Sequence, residues 1–220
     1  AFYFDMVDDK DLDNVGLSWS GYADYKDMWT VDVFDIFNDS YGVEKNNISK
    51  EYIESSEKLN PSNRNNIIGI QSQIWSETIR NEDILDYMFM PNIIVFSQKA
   101  WSQDPEWMKI PDKTKREFTL EFEWNKFTNT IGQRVLPIID NIYGGLSYDL
   151  PKPGGIIKND SLYANSVFPG LNIKYTLDGS LPDIESMNYN NPVKLNQADI
   201  VNLRLFDNTG RGGYPIQVDK

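Results

Sequence analysis

The sequence predicts an α/β segment over residues 1–136, followed by a small all-β sandwich over residues 137–220. Three observations carry that expectation. A short apolar run bounded by turn residues leads into two long stretches with helical spacing, which is half of an α/β repeat. After Pro137 the helical spacing stops, and the remaining chain holds most of the 14 glycines together with several turn signals. Finally, 220 residues at 40% hydrophobic and 13% aromatic composition suffice for one large or two ordinary packed domains.

The elements follow in order. Residues 1–5 read as the end of a buried strand, and Asp8, Asp9, Asp11 and Asp13 as a solvated acidic loop. The aromatic, glycine-bearing stretch Gly16-Leu17-Ser18-Trp19-Ser20-Gly21-Tyr22 reads as a loop. From Trp29 to Tyr41 apolar residues recur among aspartates without a clean period, and no single element is assigned. The polar turn cluster at 60–66 leads into Ile67-Ile68-Gly69-Ile70-Gln71-Ser72-Gln73-Ile74-Trp75, whose composition fits a buried strand. Asn81 can cap the helix that follows, and Glu82 and Asp83 suit its positive end. Leu85, Met88, Phe89, Asn92, Ile93, Phe96 and Ala100 fall near one face of it, with Pro91 expected to kink or break it. A second helix is expected from about Asp112 to Ile131, with Leu120, Trp124, Phe127 and Ile131 along one stripe. In the tail, the Asp178-Gly179 pair and the Asp207-Asn208-Thr209-Gly210 run punctuate strand-like segments, the latter after a rough alternation over residues 202–206.

Composition narrows the chemistry. With 21 basic and 33 acidic residues the formal net charge is −12, and histidine and cysteine are both absent. That removes Ser-His-Asp and Cys-His catalysis, zinc ligation by imidazole or thiolate, and any disulfide framework. Hard cations take oxygen ligands, so calcium is chemically open, but no EF-hand loop occurs. Nucleic acid is a poor partner for so acidic a chain. No apolar run approaches the roughly 20 residues that span a bilayer. An acidic, aromatic-rich chain suits a neutral polyhydroxylated ligand better than an anion.

Two short spacings offer a place for such a ligand. Tyr3 and Asp5 lie two apart, so on a strand they project to the same face at its end. Trp75 and Glu77 repeat the spacing where the second apolar run turns toward its helix. An aromatic ring covers the apolar face of a pyranose, and a carboxylate accepts hydrogen bonds from its hydroxyls. The same residues also have ordinary structural uses: a tryptophan packs, and a glutamate near a helix start serves the dipole. Trp19 and Tyr22 are equally readable as lids on a site or plugs over a core.

The run from Ile67 to Arg80, with Trp75-Ser76-Glu77 at its centre, resembles the last barrel strand of family 20 glycoside hydrolases, the β-N-acetylhexosaminidases and chitobiases. Asp86-Tyr87-Met88-Phe89-Met90-Pro91 and Lys99-Ala100-Trp101 resemble the helix that follows it. Tyr3-Phe4-Asp5 is similar to the family's Tyr-x-Asp on the preceding strand, and Gly16-Leu17-Ser18-Trp19 to its Gly-x-x-Trp. The β-rich tail is similar to the C-terminal domain of chitobiase-type members. The resemblance implies the last two strands and helices of a (β/α)₈ TIM barrel, followed by a β-sandwich. It also implies substrate-assisted retaining hydrolysis of a terminal N-acetylhexosamine, one of the exceptions to the two-carboxylate scheme, with no cofactor and no metal. Tyr3 would position the acetamido carbonyl, Asp5 and Glu77 would bind distal hydroxyls, and Trp19 and Trp75 would line the sugar. The substrates implied are chitobiose or glycan ends.

One departure is large. The family's acid is an Asp-Glu pair, and no Asp-Glu dipeptide occurs in this sequence. The expectation is therefore of a chain that lacks activity by itself and is completed by the N-terminal remainder of the same enzyme, in a bacterial periplasmic, secreted or cytoplasmic setting. Two other readings stay open: a non-catalytic carbohydrate- or protein-binding module, and an unrelated barrel hydrolase with a coincidental motif.

Overall fold

The computed structural model describes residues 3–6, 16, 17, 19, 22, 24–38, 47–197 and 199–219. Asp8, Asp9, Asp11 and Asp13, read above as a solvated loop, lie outside the described residues, as do Ser18, Ser20 and Gly21. The chain divides into two compact units, Ala1–Leu120 and Glu121–Lys220.

The first unit is built from short helices. Helix α1, Tyr25–Thr30, starts at a reciprocal cap. Asp27 donates its backbone N–H to Asp24 Oδ1 at 2.8 Å, and Asp24 donates its own to Asp27 Oδ2 at 3.2 Å. That box satisfies two backbone donors that a helix start otherwise leaves unpaired. Helix α2, Lys50–Ser55, is capped by Ser49. The polar cluster at 60–66 forms a 3₁₀ turn, Pro61–Asn66, with Asn60 as its cap and proline in the first position, where the missing N–H costs nothing.

Pro91 breaks the expected helix into two. Helix α3, Glu82–Phe89, begins at Asn81, whose side chain accepts from the Ile84 N–H at 2.9 Å. Helix α4, Asn92–Trp101, starts again directly after the proline. Asn92 Nδ2 bridges the break by donating to the Met88 carbonyl at 2.9 Å. The core gathers around Phe4, which meets Phe89 and Phe96 edge-on at 5.8 and 5.9 Å. Trp29 of α1 stacks on the fully buried Trp107 at 6.0 Å.

One element departs from expectation. Residues 67–75 are not a buried strand: they run extended, with a single parallel bridge from Gln73 to Tyr3. Ile68 is 99% exposed. A strand buried on both faces needs neighbours on both edges and layers above and below. Among the described residues this run makes one β-bridge, so no ladder forms.

The second unit opens with the C-terminal half of helix α5, Lys113–Thr130. Trp124 and Ile131 are buried along the expected stripe, with Thr128 beside them. The helix continues through a π turn, Ile131–Val135, into the short helix α6, Leu136–Ile139. Gly132 allows the close approach of the Phe168-Pro169 backbone, since a Cβ there would overlap the Pro169 carbonyl.

Among the described residues seven strands follow: β1 Gly154–Lys158, β2 Ser161–Asn165, β3 Asn172–Thr176, β4 Met187–Asn188, β5 Val193–Lys194, β6 Val201–Phe206 and β7 Ile216–Val218. They form two antiparallel sheets, β1-β2-β5 and β4-β3-β6-β7. Leu162 and Leu195 from the first sheet and its flank pack with Tyr175, Val201, Leu203 and Val218 from the second, so one core lies between two layers. The β1–β2 hairpin closes on Asn159 and Asp160, both at positive φ, the geometry that matches a tight turn to strand twist.

The alternation expected over residues 202–206 is present, but its polar side is also buried. Asn202 Nδ2 donates to the Gly179 and Ser180 carbonyls at 2.8 and 3.0 Å. Arg204 donates to the Gly213 carbonyl at 2.6 Å and the Gly212 carbonyl at 3.3 Å. Loops fold over the outer face and take these side chains as donors, which makes polar residues compatible with burial.

Candidate functional site

Three chain segments meet in parallel at residues 3–6. On one side Phe4 donates its N–H to the Gln73 carbonyl at 2.9 Å, and Tyr3 bridges Gln73. On the other, Leu17 donates to the Asp5 carbonyl at 2.8 Å, and Met6 bridges Leu17. The described residues of the expected strand end are a turn instead: Phe4 and Asp5 occupy it, and the Met6 N–H donates to the Tyr3 carbonyl at 3.4 Å, so each parallel pairing stops at one bridge. Trp19 follows Leu17 by two residues on the opposite flank. The two bridges set Tyr3 beside Gln73, two residues before Trp75, and Met6 beside Leu17, two residues before Trp19. Glu77 lies two residues past Trp75, where the chain bends and Ile79 donates back to the Ser76 carbonyl at 3.2 Å; its side chain is exposed.

The environments of these residues differ. Asp5 is 2% exposed, and its buried Oδ1 accepts no hydrogen bond from any described residue. The aromatic residues of the two motifs are open: Tyr3 is 36% exposed, Trp75 54% and Trp19 76%. Burying a carboxylate oxygen without a donor is costly, whereas rings left in water forgo most of their burial energy. Both deficits are relieved by a ligand that donates hydrogen bonds to Asp5 and lays an apolar face on the rings. Tyr22, the remaining loop aromatic, is also exposed. Among the described residues no group of three or more His, Cys, Asp or Glu is placed to hold a metal ion. No described helix is long and apolar enough to cross a membrane.

Sequence reasoning found the side chains but not their supports. Leu17 and Gln73 set the geometry through backbone groups, which carry no residue-type signal. Their only trace in the sequence is the position of each two residues before a tryptophan.

Two stretches of the chain match known protein families. Residues 1–104 match the catalytic domain of glycosyl hydrolase family 20, and residues 136–213 match the chitobiase/β-hexosaminidase C-terminal domain. The two matches together support a fragment of a family 20 glycosyl hydrolase. It is 32% identical to N,N'-diacetylchitobiase of Vibrio harveyi over 124 residues, which is 50% of this chain and 13% of that protein. It is 25% identical to a beta-hexosaminidase of Vibrio vulnificus over 234 aligned residues, which is 99% of this chain and 26% of that protein. The chain therefore spans about a quarter or less of the length of these relatives.

Proposed function

We propose that the chain is the C-terminal part of a β-N-acetylhexosaminidase and supplies one wall of a pocket for a terminal, non-reducing N-acetylhexosamine. The observation that supports this reading is the buried Oδ1 of Asp5, which has no donor among the described residues and lies on the turn between the bridges to Gln73 and Leu17. Asp5 accepts hydrogen bonds from sugar hydroxyls, and Glu77 accepts a second set from the rim. Trp75 covers the ring and the acetamido methyl, and Trp19 stands on the leaving-group side. The Tyr3 hydroxyl donates to the acetamido carbonyl and aims its oxygen at the anomeric carbon, where alignment of the reacting atoms governs rate.

In this reading, residues 1–136 contribute the last two strands and helices of a (β/α)₈ barrel, and residues 137–220 form the sandwich that follows. The active end of such a barrel is the C-terminal end of its strands, and this reading assigns Asp5 and Trp75 to that end. The Asp-Glu pair that protonates the leaving oxygen and holds the acetamido nitrogen comes from polypeptide outside these 220 residues. The setting is a bacterial periplasm or secreted enzyme acting on chitobiose or glycan ends.

The test has two arms. The purified chain, free of other polypeptides, gives no turnover of a chromogenic N-acetylglucosaminide; turnover would remove the need for an acid from elsewhere. In the complete enzyme, Asp5→Asn weakens substrate binding by roughly 10- to 100-fold, the loss of a hydrogen bond to a charged acceptor worth about 1.5–3 kcal/mol. Unchanged kinetics in that variant would take Asp5 out of the site.

A further inference from the structure

A second cluster of ionisable groups lies wholly within the unit Glu121–Lys220 and takes no part in the site above. Asp140 ends helix α6, and its Oδ1 accepts from the Tyr148 hydroxyl at 2.9 Å. Tyr148 is buried beneath the Arg211 guanidinium, whose central carbon sits 4.2 Å from the ring centroid. Arg211 Nη1 also donates to the Tyr148 carbonyl at 2.8 Å. Arg211 Nε in turn donates to Asp207 Oδ2 at 2.9 Å, while Asp207 Oδ1 accepts from the backbone N–H groups of Thr209 and Arg211, both at 2.9 Å. The chain from Asp140 to Asp207 therefore ties the end of the helical segment to the turn that follows β6.

Its charges do not balance. Asp140 and Asp207 bring two negative charges against the single positive charge of Arg211. Asp207 has taken the guanidinium Nε and a full set of donors. Asp140 has only the phenol, and its buried Oδ2 accepts nothing among the described residues. The charged groups that act on Asp140 are Asp207, which repels, and Arg211, which attracts, with Tyr148 as its hydrogen-bond donor.

We propose that this cluster is a proton-sensitive switch, in which addition of a proton to Asp140 removes the excess buried negative charge and stabilises the folded unit. The proton comes from solvent and forms an O–H bond at Oδ2, leaving the Tyr148 hydrogen bond to Oδ1 in place. Burial pushes the Asp140 carboxyl above its ordinary value of 3.8, the nearby Asp207 charge adds to that push, and the Tyr148 hydroxyl and Arg211 oppose it. The sign follows from linkage. A carboxyl whose folded value is raised binds its proton more tightly in the folded chain, so stability is gained as pH falls through the folded value and the gain is complete below the unfolded one.

Carbon-13 NMR of the aspartate carboxyls in the intact chain tests this directly. Asp140, assigned by its loss in Asp140→Asn, titrates above the ordinary aspartate range, and Tyr148→Phe moves that midpoint to still higher pH because the donor favouring the charged form is gone. Thermal unfolding of the same unit shows Asp140→Asn more costly at pH 4 than at pH 7. A midpoint at or below the ordinary value, or one indifferent to Tyr148→Phe, would overturn the proposal, and so would an Asp140→Asn cost that is equal at the two pH values. If Asp140→Asn does not fold, the wild-type and Tyr148→Phe titrations still decide.

Discussion

Replacing Gly132 with alanine sets two opposing effects against each other at one position. Glycine in a helical segment costs about 0.8–1 kcal/mol relative to alanine, so in an isolated helix the change would stabilise. Here the added Cβ would overlap the Pro169 carbonyl oxygen and lie 2.9 Å from the carbonyl carbons of both Phe168 and Pro169. All three are backbone atoms, so no rotamer change can clear them. Either the π turn Ile131–Val135 or the 168–170 loop must move, and Gly170, at φ +106°, already brings its own Cβ position to 3.0 Å from the Gly132 carbonyl oxygen. Overpacking of this kind costs about 1–3 kcal/mol, and against backbone on both sides the upper end applies. Subtracting the helical gain leaves a net destabilisation of about 2 kcal/mol. Native-state hydrogen exchange at the β6 amides of Leu203 and Leu205 reads it, because both residues are fully buried and their amides exchange through large openings of the unit. Exchange should quicken roughly 30-fold, at about 1.4 kcal/mol per factor of ten. Unchanged or slower exchange would show that the 168–170 loop yields freely and that the steric reasoning is wrong.

Other perturbations test other links. Leu203→Ala, at the centre of the sandwich core, should cost about 3 kcal/mol in denaturant unfolding, with little change in the first unit's transition. Asp207→Asn strips a buried carboxylate from its guanidinium partner and should cost about 3 kcal/mol at neutral pH. Although burial pushes Asp207 up, the Thr209 hydroxyl, the Arg211 side chain and the Arg211 backbone N–H outweigh it and hold its carboxyl below the ordinary value. A depressed folded value stabilises the fold above the unfolded value of 3.8, and that stability is lost as pH falls further through the folded one. An acid titration of the β-rich unit should therefore lose part of its slope below about pH 4 in Asp207→Asn. Asn81→Ala removes the acceptor for the Ile84 N–H and should cost about 1 kcal/mol in the first unit, measured by urea midpoint.

Legibility in the sequence followed the range of the interaction. Caps, breaks and turns were readable because each is decided within a few residues: Asn81 starting α3, Pro91 ending it, and Gly179 and Gly210 at positive φ in the predicted turns. Helix α1 left a trace in Asp24 and Asp27, three apart, but its mixed surroundings carry no period. The run 67–75 read as buried because its composition is apolar, and composition says nothing about whether neighbours are present to bury it. Ile68 lies in solvent for that reason.

The candidate site divides the same way. The two-residue spacings of Tyr3 with Asp5 and of Trp75 with Glu77 would set a shared face only on strands, and both pairs fall at a turn or a bend; the motif around Trp75 and Glu77 points to the family. Sequence alone thus determined the residue types, the local elements and the kinship of the chain. Tertiary structure decided that Asp5 is buried on a turn with an unmet oxygen, that Tyr3 bridges Gln73, and that Glu77 lies exposed at a bend. It alone joined Asp140, Tyr148, Asp207 and Arg211 across more than sixty residues of chain. Burial and charge balance are sums over neighbours brought from afar, and no local pattern of residues records which neighbours those will be.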